Sequence, residues 1–240
     1  MQELRLPDNL KRKTQDFING LKRIYADELV SVIIYGSAVS GEFADKHSNL
    51  NILAVLKDAD LDNLKKAADL VRRFKMIKPL FLTERYIATS TDIFPIEFLD
   101  MRENYRVLYG KDILRDILID IRNLRFQCEQ ELKAKLLNLR QFYLRIHQNK
   151  ALLRDLLFRS ATSVLHILRN VLRIKGKIPP YLKQDILKEV AADLGVNRDI
   201  FEKILAAKNK QIRLGGRDTE ELFTGFVREL ERVVDIVDRL

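Results

Sequence analysis

The chain has 240 residues, 47% of them hydrophobic and 32% charged, and a formal net charge of +9. That length fits one large domain or two smaller ones, with enough apolar content for a buried core. No apolar run reaches the roughly 18 residues of a membrane-spanning helix. The opening MQELRLPDNLKRKTQ lacks a signal-peptide core, and the single cysteine, Cys128, excludes an internal disulfide. These features read as a cytoplasmic protein with no membrane partner. One cysteine and three histidines also speak against a zinc site.

Leu10 to Asp27 has the spacing of an amphipathic helix, with Phe17, Ile18, Leu21, Ile24 and Tyr25 on its apolar stripe. An apolar run, Leu29–Tyr35, predicts a strand that ends at Gly36-Ser37, and a second run, Asn49–Leu56, predicts another strand. Leu61, Leu64, Ala68, Val71 and Phe74 recur at helical spacing. Pro79–Thr83 is read as a third strand, Glu84–Ser90 as a short helix, Pro95–Met101 as a fourth strand, and Tyr105–Tyr109 as a fifth that stops at Gly110. Strands and helices interleave to about residue 112, the pattern of an α/β layer.

From Ile113 strands disappear. A long helical pattern runs to about His147, a second covers Ala151–Ile174, a third Leu182–Leu194, a fourth Asp199–Ala207, and a last begins behind Asp218. This predicts an α/β domain over 1–112 and an all-α helical bundle over 113–240. The charge divides along the same line. Residues 1–112 carry 18 Lys and Arg against 17 Asp and Glu, and residues 113–240 carry 25 against 17. A basic helical half suits an acidic or nucleic-acid partner, although its charges alternate in sign as on solvated helix faces. Its leucine stripes are also compatible with a homodimer.

The chemistry concentrates in YGSAVSGEF and HSNLNILAVL. A glycine at a strand end lets a ligand approach the backbone, and a serine beside it adds a hydroxyl. With the looser FPIEFLD, these segments resemble the DNA polymerase β-like nucleotidyltransferases, in particular the minimal and aminoglycoside types with a helical C-terminal domain. The resemblance spans about residues 10–112. It implies a mixed-sheet fold and transfer of a nucleoside monophosphate from an NTP to a hydroxyl or amine. It implies Gly36 and Ser37 on the triphosphate, with Ser48 opening the second strand. Two aspartates at positions 49 and 51 would then hold Mg²⁺ with a third acid, Glu97. On a strand, Asp100 would point away from Glu97.

This sequence departs from that pattern, because both positions are asparagine: Ser48-Asn49-Leu50-Asn51. An amide oxygen carries no charge, and Mg²⁺ prefers carboxylates. A unit charge pair at 4 Å is worth about 4 kcal/mol at an effective dielectric of 20. Each Asp→Asn exchange beside a divalent ion costs at least that order. With Glu97 as the remaining acid, the expectation is an NTP-binding protein with a weakened metal site and impaired catalysis.

Two other functions are compatible with the sequence. One is a non-catalytic nucleotide- or partner-binding regulatory module. The other is a helical-domain ribonuclease or toxin–antitoxin component, because Arg140/His147 and Arg159/His166 each share a helix face seven residues apart. This spacing resembles the Arg-x4–6-His motif of the HEPN ribonucleases. Tyr105, Arg106 and Tyr109, just before the domain boundary, are suited to a base or sugar.

Overall fold

The computed structural model describes residues 6–40 and 49–240. The chain forms two compact units, Met1–Asp120 and Ile121–Leu240.

In the first unit, helix α1 (Asp8–Tyr25) leads through a 3-10 turn (Ala26–Glu28) into strand β1 (Leu29–Tyr35). There follow α2 (Ser37–Ser40), β2 (Leu50–Leu56), α3 (Leu61–Lys66), α4 (Ala68–Arg73), β3 (Ile77–Thr83), α5 (Glu84–Ser90), α6 (Pro95–Glu103) and β4 (Tyr105–Gly110). The sheet order is β3-β2-β1-β4; β1 runs antiparallel to β2 and β4, and β2 runs parallel to β3. The central strands β1 and β2 are buried on both faces, which is why they are mostly apolar rather than alternating.

The two faces have separate cores. On one, Phe17 and Leu21 of α1 pack against Val32, Ile34, Leu50, Ile52 and Ile77. On the other, Ile87 of α5 and Phe98 and Met101 of α6 join Leu114 and Ile117 over Ile33, Leu53 and Val55. Gly110 closes β4 at φ +76, where a β-carbon would stand 2.0 Å from the Val30 carbonyl oxygen. Only glycine fits there.

The predicted strand Pro95–Met101 is instead the helix α6. Proline at the start and Glu97 in the first turn are helix-opening features, and a short apolar run does not by itself separate strand from helix. The long helix predicted from Ile113 begins only at Ile121, because Leu114 and Ile117 are drawn into the second sheet core.

The second unit consists of α7 (Ile121–Ile146), α8 (Lys150–Ile174), α9 (Lys183–Leu194), α10 (Arg198–Lys208) and α11 (Gly216–Asp238). α8 is its axis, packed against the other four, and its buried stripe runs from Leu153 to Leu172. The caps follow from sequence. The Asn149 side chain accepts the Leu152 N–H at 3.1 Å, and Asp218 accepts the Gly215 N–H at 2.9 Å. Gly195 ends α9 in the left-handed region, at φ +61.

Candidate functional site

The turn after β1 is built around Gly36. Its φ is +77, a conformation that glycine adopts without strain. Its N–H donates to the Asn104 carbonyl at 2.9 Å, and its own carbonyl accepts the Val39 N–H at 2.9 Å, which sets the short α2 in motion at Ser37. The side-chain nitrogen of Asn51 stands 3.3 Å from where a Gly36 β-carbon would be. Two of the residues singled out in the sequence, Gly36 and Asn51, are therefore neighbours across β1 and β2.

The pairing extends this contact into a row across the sheet. Asn51 is opposite Tyr35 on one side and Lys78 on the other, and Tyr35 is in turn opposite Tyr105. Paired residues share a face, and their neighbours alternate. Leu53, Val55 and Leu82 belong to the core under α5 and α6, so Lys78, Asn51, Tyr35 and Tyr105 lie on that same face. Further along, the helices cover this face. At the Lys78 end it opens: Lys78 is exposed and Leu80 is 37% exposed. Burial pushes the Tyr35 phenol pKa upward. Tyr105 donates its hydroxyl to Asp112 at 2.9 Å; burial first, then this carboxylate, raise its pKa to about 12. The Tyr109 ring carries the Lys22 ammonium at 4.2 Å.

The remaining sequence candidates are placed as follows. Asn49 precedes β2 and is exposed. Ser48 lies outside the described residues. Glu97 is exposed in the first turn of α6, a helix and not a strand. Glu97 is therefore not set apart from Asp100 by strand alternation, since residues three apart on a helix share a side. α6 covers the face that carries Asn51, through Phe98 and Met101. Lys78 was missed in the sequence because the third strand was read from Pro79; only the parallel register of β3 on β2 reveals it.

Among the described residues, the donors that the four strands and position 49 offer are a poor fit for a resident Mg²⁺. None of the four strands contains an Asp or Glu, and positions 49 and 51 offer neutral amides. Among the described residues no three His, Cys, Asp or Glu side chains gather to hold a metal. Mg²⁺ gives up water reluctantly and takes carboxylates for preference.

The helical unit has its own charged hollow, a cavity of about 490 Å³. Arg159 and His166 of α8 both line it, with Arg169, Tyr181 and Lys183. Arg169 is buried; its Nε donates to the Pro180 carbonyl at 2.8 Å and its guanidinium lies 4.4 Å over the Tyr181 ring. Lys208 donates to the Thr162 hydroxyl at 2.6 Å, and burial followed by repulsion from Lys183 lowers its pKa. The other arginine–histidine pair is separated in role: Arg140 is bound to Glu231 at 2.8 Å, and His147 lies beyond the end of α7 against Tyr143.

The fold is a small mixed sheet with its α/β layer, followed by a region of long helices, and it is similar to that of a solved nucleotidyltransferase. A solved structure of the spectinomycin adenyltransferase AAD(9) from Enterococcus faecialis, with ATP and spectinomycin, matches at a TM-score of 0.57 over 90% of this chain and 99% of that one. Sequence identity is 15%, so the likeness is one of fold. No protein-family model and no curated protein matches the sequence. No helix among the described residues is long and apolar enough to cross a membrane.

Proposed function

We propose that this chain is a nucleotidyltransferase-type protein that binds a nucleoside triphosphate at the Gly36–Ser37 turn, with Asn51 beside it. In this reading residues 1–112 form the nucleotide-handling domain and 113–240 the helical accessory domain. The ancestral reaction transfers a nucleoside monophosphate to a small-molecule or macromolecular acceptor. Its chemical step is impaired here, because Asn49 and Asn51 stand where two carboxylates would hold magnesium. In this reading the retained acid is Glu97, exposed in the first turn of α6. Two-metal chemistry stabilises attacking and leaving oxygens together, and two neutral amides with one carboxylate are a poor set for that task.

The observation that carries this reading is the closeness of the Asn51 amide to a glycine held at φ +77, 3.3 Å from where its β-carbon would stand. It joins a backbone turn open to close approach with the side chain at the metal-ligand position. The test is the double exchange Asn49→Asp with Asn51→Asp. It is expected to raise Mg²⁺ affinity, and with it any ATP-dependent nucleotidyl transfer. If both stay at background, the assignment of this site is wrong.

A second reading follows from the hollow of the helical unit. Its basic lining suits an acidic or nucleic-acid partner, and Arg159 with His166 satisfies the sequence pattern of a ribonuclease. RNA cleavage that disappears in His166→Ala supports that activity; RNA left intact by the unaltered protein removes it.

A further inference from the structure

Asn51 has a charged neighbour on the sheet. In the parallel register of β2 on β3, Lys78 stands directly beside it and shares its face. Adjacent strands are about 4.8 Å apart, so a lysine stem spans from β3 to the space over Asn51 and Gly36. The four strands contain two charged residues, Lys78 and Arg106. Arg106 is paired with Ile34, whose side chain belongs to the opposite core, so Lys78 is the one strand charge on the Asn51 face. It is exposed, and no carboxylate among the described residues pairs with it. Where the family resemblance leads one to expect negative side chains gathered around a cation, this sheet therefore offers the Asn51 amide and an ammonium.

That exchange reverses the charge logic of the site. A carboxylate cluster repels a polyphosphate unless a divalent cation intervenes. A lysine attracts it directly, as a point charge with three rotatable donors. Asn51 adds an amide N–H₂ that donates to the same oxygens. We infer that Lys78 takes over the role of the counter-ion, so that the protein binds the polyphosphate of a nucleotide without a divalent metal. This rests on the reading that a nucleotide occupies the Gly36–Ser37 turn, and it goes beyond that reading in naming what neutralises the phosphates.

The test is isothermal titration with ATP, in excess EDTA and in excess Mg²⁺, of the unaltered chain, Lys78→Met and Lys78→Arg. Lys78 is exposed on an edge strand, and circular dichroism checks that each variant folds. ATP is expected to bind in EDTA at least as tightly as with Mg²⁺. Lys78→Met is expected to weaken EDTA binding about tenfold or more, and Lys78→Arg to keep most of it. Binding that needs Mg²⁺ overturns the inference and leaves the nucleotide site standing. Metal-free binding that Lys78→Met does not alter overturns the role of Lys78. No ATP binding in either buffer overturns the nucleotide reading itself.

Discussion

The Asn51 side-chain nitrogen lies 3.3 Å from the point where a β-carbon on Gly36 would stand. A methyl group there has to push the amide aside and also adopt φ +77, which costs an L-residue about 1–2 kcal/mol. Gly36→Ala is thus expected to lower stability by that order and to weaken ATP binding more than the stability loss explains. Urea unfolding and ATP titration on the same sample separate the two effects. Equal stability and equal ATP affinity contradict the close packing of the turn.

Burial of Tyr105, with its hydrogen bond to Asp112, gives the first unit a pH signature on the alkaline side. The folded phenol ionises near 12 and the unfolded one near 10.0. Between these values the unfolded chain has lost the proton that the folded chain keeps, so stability falls as pH rises through that window. Below pH 10 the contribution is fully present. Tyr105→Phe is expected to cost about 1–2 kcal/mol at pH 7 and to flatten the decline between pH 10 and 12, as measured by denaturant unfolding across that range.

On the acid side the second unit has a counterpart. Glu220 accepts hydrogen bonds from Lys150 and, at 3.0 Å, from the Tyr143 hydroxyl. Lys150 foremost, then Tyr143, hold its pKa below the ordinary 4.5. Stability from this carboxylate is present above that value and lost as pH falls through the depressed one. Lys150→Met is expected to shrink the acid-induced loss, read by thermal melts at stepped pH below 5.

Lys208, which donates to Thr162 of the helical hollow, is kept below its ordinary pKa by burial and by Lys183. Lys183→Gln removes the repulsion, and the Lys208 amine pKa is expected to rise; nitrogen-detected NMR of the lysine side chains reads it directly. The same variant is expected to weaken polyphosphate or RNA oligomer binding to this unit by a few-fold, with a shallower salt dependence.

The parts of this fold that could be read in the sequence are those with a single physical cause. β1 and β2 are buried on both faces and appear as largely apolar runs. Gly110 and Gly195 end their elements because the backbone there has positive φ. The failures occur where tertiary context decides. Pro95–Met101 is apolar enough for a strand, yet its proline and early glutamate open a helix. Ile113–Asp120 carries helical spacing, but Leu114 and Ile117 are spent on the sheet core. Gly36 and Asn51 were visible as a motif. Lys78 was not, because its place beside Asn51 depends on which strand lies next to β2 and in what register.

The most direct test of the nucleotide site is backbone amide NMR of the whole chain titrated with ATP. The expected result is saturable shift changes at Gly36, Ser37 and Asn51 that are lost in Gly36→Ala. Shifts confined to residues of the helical unit, or no saturable shifts at all, contradict the account.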